Sequence, residues 1–190
     1  MKEDILEQLV DDYLKSQGYF TTHNIKFKPD PRHKDYVSKQ DSVPSDIDLL
    51  AVHPNKRGAD KVVAVTCKSW QTGINPSALI NAIETDAKLG GRIAWKSFRE
   101  LKEPKWSAAY CQKIEEMTGS KKFTYWTAVT KVIGDPLVWE NHKALFCQND
   151  AGRDSKQHSA IEACFEWRHA KLHDHVISGH SAARLAHALP

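Results

Sequence analysis

Hydrophobic and polar positions alternate with helical spacing at the start of the chain. Between residues 3 and 17, apolar side chains recur at every third or fourth position, which predicts an amphipathic helix that ends near Gly18. Residues 19–27 are typical of a short strand, whereas residues 28–45 contain three prolines and many polar groups. The pattern therefore predicts a helix, a strand and a long loop.

Two apolar runs in the next part of the chain predict a β-hairpin. Residues 47–52 and 62–67 are separated by a segment that is rich in turn formers. If the hairpin is symmetric about Arg57, the numbers of directly opposed residues sum to 114. The hairpin therefore has a specific predicted register, which fixes the residues that face each other.

This register predicts that four polar side chains converge on one face of the hairpin. Asp48 lies across from Thr66, and Asp46 lies across from Lys68. Side chains two positions apart on a strand share a face, and directly opposed Cβ atoms are about 4.5–5.5 Å apart. A carboxylate and an amine on otherwise apolar strands are costly to bury unless they are paired or bind a metal. We therefore expect this patch to carry the chemistry of the protein.

The remainder of the chain predicts further helices and strands. In chain order we expect a helix over 75–89, two helical pieces over 91–117 that are split at Pro104, a strand over 123–133, a short strand over 144–148 and a helix over 159–175. Together the elements predict an α/β fold in which a central mixed β-sheet is flanked by helices. Residues 1–150 are expected to form the main domain, and residues 151–190 a C-terminal helix and tail.

Composition adds a modest electrostatic signal. The formal net charge is only +3, but residues 1–60 carry nine Lys or Arg against eleven Asp or Glu, and residues 61–140 carry twelve against eight. An acidic segment beside a basic one suits a metal site that faces phosphate. Four dispersed cysteines, no secretory signal and no apolar run near the roughly 20 residues of a membrane helix predict a reduced, cytoplasmic protein.

The hairpin residues are suited to binding a divalent cation. Magnesium prefers oxygen ligands, typically one or two carboxylates together with waters and a substrate phosphate. Asp48 and the neighbouring main-chain carbonyl of Cys67 are expected to supply part of this shell, and Lys68 to complement it. A bound cation would lower the pKa of a water molecule and offset charge on the phosphorane, while the ammonium orients the nucleophile or stabilises the same charge.

These residues also carry a resemblance to a known family. The segment SDIDLLAV at 45–52, a turn, and the segment VVAVTCKSWQ at 62–71 resemble the PD-(D/E)XK nuclease superfamily, closest to its restriction-endonuclease-like and Holliday-resolvase-like members. The family shares an acid-bearing helix, a three-stranded sheet with Asp on the second strand and Glu-x-Lys on the third, and then a helix and a further strand. Residues 1–133 supply that order.

The resemblance implies roles for individual residues. Asp48 would be the metal ligand, Lys68 the catalytic lysine and Glu7 the acid of the N-terminal helix, with Mg²⁺ or Mn²⁺ as cofactor and DNA as substrate. Many enzymes of this kind form a homodimer, because two cuts need two sites.

The sequence departs from the family pattern at one position. Thr66 stands where the family has Glu or Gln, and a hydroxyl is a weaker, neutral metal ligand. Either Glu84 or Asp86 on the following helix supplies the missing acid, or the site binds metal poorly and catalysis is lost. Asp46 is a third candidate for the missing acid, and the alternative is that it serves only as an ion-pair partner of Lys68.

Two further groups of residues are candidates for binding. Lys96, Arg99, Lys102 and Lys105 are expected to lie on or near one helical face and, with Gln71, to contact nucleic acid. The alternative is a solvated helix surface. His169, His173 and His175 have a spacing that can chelate zinc, although a polar helix end is the simpler interpretation.

The sequence therefore favours a metal-dependent DNA endonuclease of the restriction or DNA-repair type. The main alternative is a catalytically inactive nuclease-fold module that binds DNA or assembles a complex, as Thr66 would indicate. A zinc-dependent interaction domain built on the C-terminal histidines is a more distant third alternative.

Overall fold

The computed structural model of the 190-residue chain describes residues 4–141 and 160–166. Its elements in chain order are α1 (Ile5–Ser16), β1 (Phe20–Phe27), α2 (Ser38–Asp41), β2 (Ser45–Val52), β3 (Val62–Lys68), α3 (Pro76–Glu84), β4 (Lys88–Leu89), β5 (Arg92–Ile93), α4 (Arg99–Lys102), α5 (Pro104–Thr118), β6 (Thr124–Val129), α6 (Leu137–Asn141) and β7 (Ala160–Glu166). Single 3₁₀ turns occupy Gly58–Lys61 and Ala94–Ser97.

The first helix, α1, forms for the reasons that its sequence predicts. The side chain of Asp4 caps its N-terminus by accepting a hydrogen bond from the Leu6 amide at 2.9 Å. Leu6, Val10 and Leu14 recur with helical spacing and are buried against the sheet. Burial of each such side chain contributes about 1.5–3 kcal/mol, which fixes this face of the helix inward.

The strands form one mixed sheet in the order β1-β2-β3-β6-β7. The first three strands are antiparallel neighbours, whereas β6 runs parallel to β3 and β7 runs parallel to β6. The predicted mixed α/β class is thus confirmed. A separate two-stranded ribbon, β4 and β5, lies between α3 and α4 along the chain.

The predicted register of the central hairpin is confirmed by its pairing. Leu49 faces Val65 and Val52 faces Val62, so the residue numbers sum to 114 along this paired segment. The pairing ends at Leu49 and Val65. The candidate site residues Asp48, Thr66 and Lys68 lie just beyond that point, where the two strands separate.

Helices cover both faces of the sheet. On one face, α1 packs against Leu49, Val65 and Trp126. On the other face, a larger core is formed by residues of α3 and α5, with Phe98 and Tyr125 among its fully buried side chains. The candidate site residues therefore lie at one end of a strand pair that is covered on both sides.

The long loop after β1 is attached to α5 by a buried ion pair. Lys105 Nζ lies 2.8 Å from Asp41 Oδ2, and Trp106 Nε1 donates to Asp41 Oδ1 at 3.1 Å. Lys105 also donates to the main-chain carbonyl of Asp35 at 2.9 Å. The predicted loop over 28–45 therefore contains a short helix, α2, and is fixed to the body of the protein.

Several expected elements differ in the structure. Residues 160–166 form strand β7, whereas the sequence predicts a helix over 159–175. Ala and Glu favour a helix locally, but pairing of the backbone with β6 outweighs that preference. The second of the two helical pieces expected over 91–117 is α5, which begins at Pro104 as predicted. The first piece is not one helix but a short strand, a 3₁₀ turn and the single turn of α4.

The remaining differences concern the ends of elements. Helix α3 ends at Glu84 rather than near residue 89, and β6 is shorter than the predicted strand over 123–133 and is buried on both faces. The strand expected over 144–148 lies outside the described residues, as do the three C-terminal histidines. Within the described ranges, no helix is both long and apolar enough to span a membrane.

Candidate functional site

A carboxylate replaces a strand carbonyl at the point where β2 and β3 separate. The Cys67 amide donates to Asp48 Oδ2 at 2.6 Å. Cys67 lies two residues beyond Val65, the last residue of β3 that pairs with β2. The N–H and C=O of a strand residue point toward the same neighbouring strand. The Cys67 carbonyl therefore faces the same gap between the strands as the Asp48 side chain.

Asp48 and Lys68 form a loose pair in this gap. Their closest atoms, Asp48 Oδ2 and Lys68 Nζ, are 4.0 Å apart, and their side chains are 15% and 19% exposed. The ammonium also lies 5.5 Å from the ring centre of Phe98. Burial raises the pKa of Asp48, and the Lys68 ammonium and the Cys67 amide offset only part of that rise. The carboxylate is thus only partly compensated.

Other acids crowd the same end of the hairpin. Glu7 on α1 has a raised pKa, first because it is partly buried and second because the Asp48 carboxylate is near. Asp46 is paired with Lys26 across β1 at 2.6 Å rather than with Lys68. Asp4 accepts a hydrogen bond from the Ser69 hydroxyl at 2.7 Å. The negative potential at this end favours a cation.

Thr66 lies in a buried polar cluster that contains an acid the sequence analysis did not single out. Thr66 is 3% exposed, and although burial raises the pKa of Tyr125 overall, the Thr66 hydroxyl is close enough to the phenol to lower that pKa in part. The Tyr125 hydroxyl in turn donates to Glu100 Oε1 at 2.7 Å. Glu100 is 4% exposed, and burial raises its pKa although the Tyr125 hydroxyl opposes that rise. Lys68 and Asp48 are among the charges that act on it.

The fold brings Glu100 to this position through its neighbours on α4. Phe98, the residue that precedes α4, and Leu101 within it are 0% and 1% exposed and anchor the single helical turn in the core. The nearby apolar residues Phe98 and Leu101 are the only sequence signal that marks Glu100. The signal is weak, because nothing in the sequence indicates that α4 reaches the hairpin.

The acids predicted to replace the missing one are placed elsewhere. Glu84 and Asp86 are exposed at and after the end of α3. Lys102 Nζ lies 3.5 Å from Asp86 Oδ1 and donates to the main-chain carbonyls of Ile83 and Glu84. The ion pair ties Asp86 to Lys102, and both acids are exposed, whereas Thr66 is buried.

The predicted nucleic-acid contacts do not form one helical face. Lys96 lies in a 3₁₀ turn, Arg99 and Lys102 in α4 and Lys105 at the start of α5. Lys105 is buried in its ion pair with Asp41, and the guanidinium of Arg99 lies 4.8 Å from the Trp106 ring centre. Gln71 is exposed in the turn after β3. With Lys102, three of the four cations are therefore engaged in tertiary contacts of the fold.

The metal-ligating groups near the gap are few. Over residues 4–141 and 160–166, no three His, Cys, Asp or Glu side chains are arranged to hold a metal ion. The Cys67 thiol is buried, and burial raises its pKa well above the usual range, so it is not a thiolate ligand. The groups that remain for a cation are the Asp48 carboxylate and the Cys67 carbonyl, with Glu7 nearby.

Comparison with known proteins adds no relative. No family model matches the chain, and neither the curated proteins nor the solved structures gave a match. The resemblance to the nuclease superfamily therefore stays a prediction from the hairpin residues.

Proposed function

We propose that the protein is a metal-dependent endonuclease that hydrolyses phosphodiester bonds in DNA, of the restriction or DNA-repair type. The observation that carries the proposal is the loose Asp48–Lys68 pair at the gap between β2 and β3. An aspartate, a strand carbonyl and a lysine converge there in the spacing by which the sequence resembles the PD-(D/E)XK nucleases.

The order of elements supports the same proposal. An acid-bearing helix, α1, precedes three antiparallel strands, and helices then connect the third strand to a fourth strand parallel to it. This is the order that the resemblance implies. Fold order alone is compatible with many activities, so the residues at the gap carry more weight.

The geometry of the pair favours a reactive role over a stabilising one. Asp48 and Lys68 are 4.0 Å apart, longer than a strong charged hydrogen bond of about 2.7–2.9 Å. Burial raises the pKa of Asp48 in spite of the lysine. A carboxylate that stays under-compensated in the native state is typical of functional sites.

The residues at the gap fit a divalent cation of the size of Mg²⁺ or Mn²⁺. The Asp48 carboxylate and the Cys67 carbonyl would hold it, and two protein oxygens suffice because magnesium retains waters and substrate oxygens. When bound, the cation would supply an acidified water and charge stabilisation.

The chain's own groups account for the remaining roles. Lys68 would orient the attacking water or stabilise negative charge on the phosphate. Glu7 has a raised pKa and is therefore a better proton acceptor than an ordinary glutamate. Glu100, held by Tyr125 beside Thr66, would supply the carboxyl that position 66 lacks.

Cleavage of supercoiled plasmid DNA with Mg²⁺ or Mn²⁺ tests the proposal. Asp48→Asn and Lys68→Ala are each expected to lower the rate by about 10²–10³-fold, the scale seen when a charge-stabilising group is removed from an active site. The matched control is Asp46→Asn with Lys26→Gln, which removes an Asp–Lys pair between β2 and β1 two residues before Asp48. Unchanged cleavage by both site variants would refute the proposed site.

A catalytically inactive module that binds DNA or assembles a complex is the second candidate. Thr66 and the small number of metal-ligating side chains favour it. DNA binding by the wild-type protein without cleavage under any divalent metal would support it. Thr66→Glu separates the candidates further, because gained cleavage would mean that the rest of the site is assembled. Sedimentation of the protein with and without duplex DNA tests the homodimer that two cuts would require.

A further inference from the structure

The turn between β2 and β3 carries a strongly basic concave surface. We use the name basic turn for residues 53–61. A depression of about 520 Å³ in this turn is lined by Lys56, Arg57 and Lys61 together with Pro54, Asn55 and Gly58. In the described part of the chain, none of these three cations lies within 4.0 Å of a carboxylate.

The basic turn is held in one conformation by hydrogen bonds. The His53 amide donates to the Lys61 carbonyl at 2.8 Å and closes the turn. His53 Nδ1 accepts from the amides of Asn55 and Lys56 at 3.1 and 3.2 Å. The Tyr19 hydroxyl donates to the Asp60 carbonyl at 2.9 Å. The backbone that presents the cations is therefore preorganised, which lowers the entropic cost of binding.

One of the cations is positioned without being neutralised. Lys56 Nζ donates to the Tyr19 hydroxyl at 3.0 Å and lies 4.7 Å from the centre of the same ring. Tyr19 is 7% exposed and is itself fixed in the core. Both contacts orient the ammonium through a neutral side chain, so its full charge remains for a ligand. Three cations around one depression match a phosphate group.

The basic turn and the Asp48 gap lie at opposite ends of the same hairpin. His53 directly follows β2 and lies five positions after Asp48, which corresponds to roughly 16 Å at about 3.3 Å per residue. Phosphates of one DNA strand advance about 3.4 Å each along the helix axis, so this distance corresponds to roughly five nucleotides.

We infer that the basic turn binds a phosphate of the DNA backbone other than the phosphate that is cut. The inference rests on the proposed function, because it takes DNA as the substrate. It replaces the series Lys96 to Lys105 as the main phosphate contact, since Lys102 and Lys105 are engaged within the fold. Phosphate contacts of this kind set the register of a duplex without reading its sequence.

Salt-dependent DNA binding tests the inference. A 20-base-pair duplex is titrated with the Asp48→Asn protein, which cannot cut it, with and without the added changes Lys56→Gln, Arg57→Gln and Lys61→Gln. The expected result is about tenfold weaker binding and a log–log salt slope that is shallower by about 0.9 for each lost phosphate contact. In the cleavage-competent background, the same changes are expected to raise KM and leave kcat unchanged.

A matched variant separates this site from general electrostatics. Lys28→Gln, Lys34→Gln and Lys39→Gln remove the same charge from exposed positions in the segment after β1, which begins at the end of the β1–β2 pair opposite to the basic turn. The salt slope of this variant is expected to match that of the parent. Arg57→Gln alone, at an exposed position, is expected to give a smaller weakening in the same direction and guards against misfolding of the triple variant.

Three results would overturn the inference. Equal weakening by the two triple variants would show a nonspecific charge effect, and no weakening by the basic-turn variant would show that DNA does not contact it. If inorganic phosphate binds at the turn but the three substitutions there leave DNA binding unchanged, the turn is a site for free anions and not for DNA. A protein that cuts DNA normally with the turn neutralised refutes only this inference, whereas a protein that neither binds nor cuts DNA refutes the proposed function as well.

Discussion

Two Asp–Lys pairs in this protein have the same chemical composition and opposite properties. Asp41 and Lys105 are 2.8 Å apart, and the carboxylate also accepts hydrogen bonds from the Val37 amide and the Trp106 indole. Burial raises the pKa of Asp41, but these donors, with Lys105 first, outweigh it and leave the pKa below its ordinary value. Both carboxylate oxygens accept hydrogen bonds, and the pair fastens a loop to a helix.

The second pair is left incomplete. Asp48 has one backbone donor, its lysine is 4.0 Å away, and burial keeps its pKa above the ordinary value. A buried pair that stabilises a fold needs good geometry and full hydrogen bonding to offset the loss of hydration. The comparison therefore distinguishes a structural pair from one whose remaining ligands come from outside the chain.

Breaking the structural pair is expected to have the largest effect. Lys105→Met leaves Asp41 as an uncompensated buried carboxylate, which is expected to lower the free energy of unfolding by about 3–5 kcal/mol. Urea unfolding followed by tryptophan fluorescence measures the change. A loss below about 1 kcal/mol would contradict the structural role. Lys113→Met, which removes a lysine from an exposed ion pair of α5, is the matched control and is expected to change little.

Removing the partner of the buried Glu100 is expected to have an intermediate effect. Tyr125→Phe deletes the hydroxyl that donates to Glu100, so a buried acceptor loses a bond that is worth about 1–3 kcal/mol when unmade. Urea unfolding gives the stability loss, and plasmid cleavage gives the effect on activity. If stability falls while the remaining protein cuts at the wild-type rate, Glu100 has no part in the reaction.

Neutralising the incomplete pair is expected to change stability least. Asp48→Asn removes a partly desolvated charge and keeps an acceptor for the Cys67 amide, so the free energy of unfolding should change by about 1 kcal/mol or less. The same substitution should abolish cleavage. A stability loss as large as that of Lys105→Met would mean that both pairs are structural, and the distinction between them would fail.

The pH dependence of stability should have opposite signs for the two aspartates. Asp41 has a lowered pKa in the native state, so its stabilisation is present above the ordinary Asp pKa of about 3.9 and is lost as the pH falls through its native pKa. Asp48 has a raised pKa, so the native state takes up its proton first and mild acidification from neutral pH is stabilising.

Urea unfolding across a pH series measures both contributions. Asp48→Asn should reduce the gain on mild acidification without abolishing it, because the raised pKa values of Glu7 and Glu100 act in the same direction. Asp41→Asn should reduce the loss at lower pH. Identical pH profiles for the two variants would contradict the assigned shifts.

The sequence predicted the features that depend on residues close together in the chain and missed those that depend on distant residues. The helix α1 and the hairpin register are set by residues close in sequence, and the pattern predicted both. The approach of Glu100 to Thr66 depends on how α4 packs over the sheet, and strand β7 depends on pairing with β6, so neither is encoded in a local pattern. The same holds for Lys105, whose partner Asp41 lies 64 positions earlier in the chain.

The bond between the Cys67 amide and the Asp48 carboxylate makes one backbone proton a spectroscopic reporter. In a nitrogen–proton NMR spectrum, that resonance follows the ionisation of a side chain instead of the opening of a strand ladder. Titration with Mg²⁺ or with acid should therefore move the Cys67 signal while those of Val63 and Val65 stay in place, which reads the occupancy of the gap even in a protein that cuts nothing.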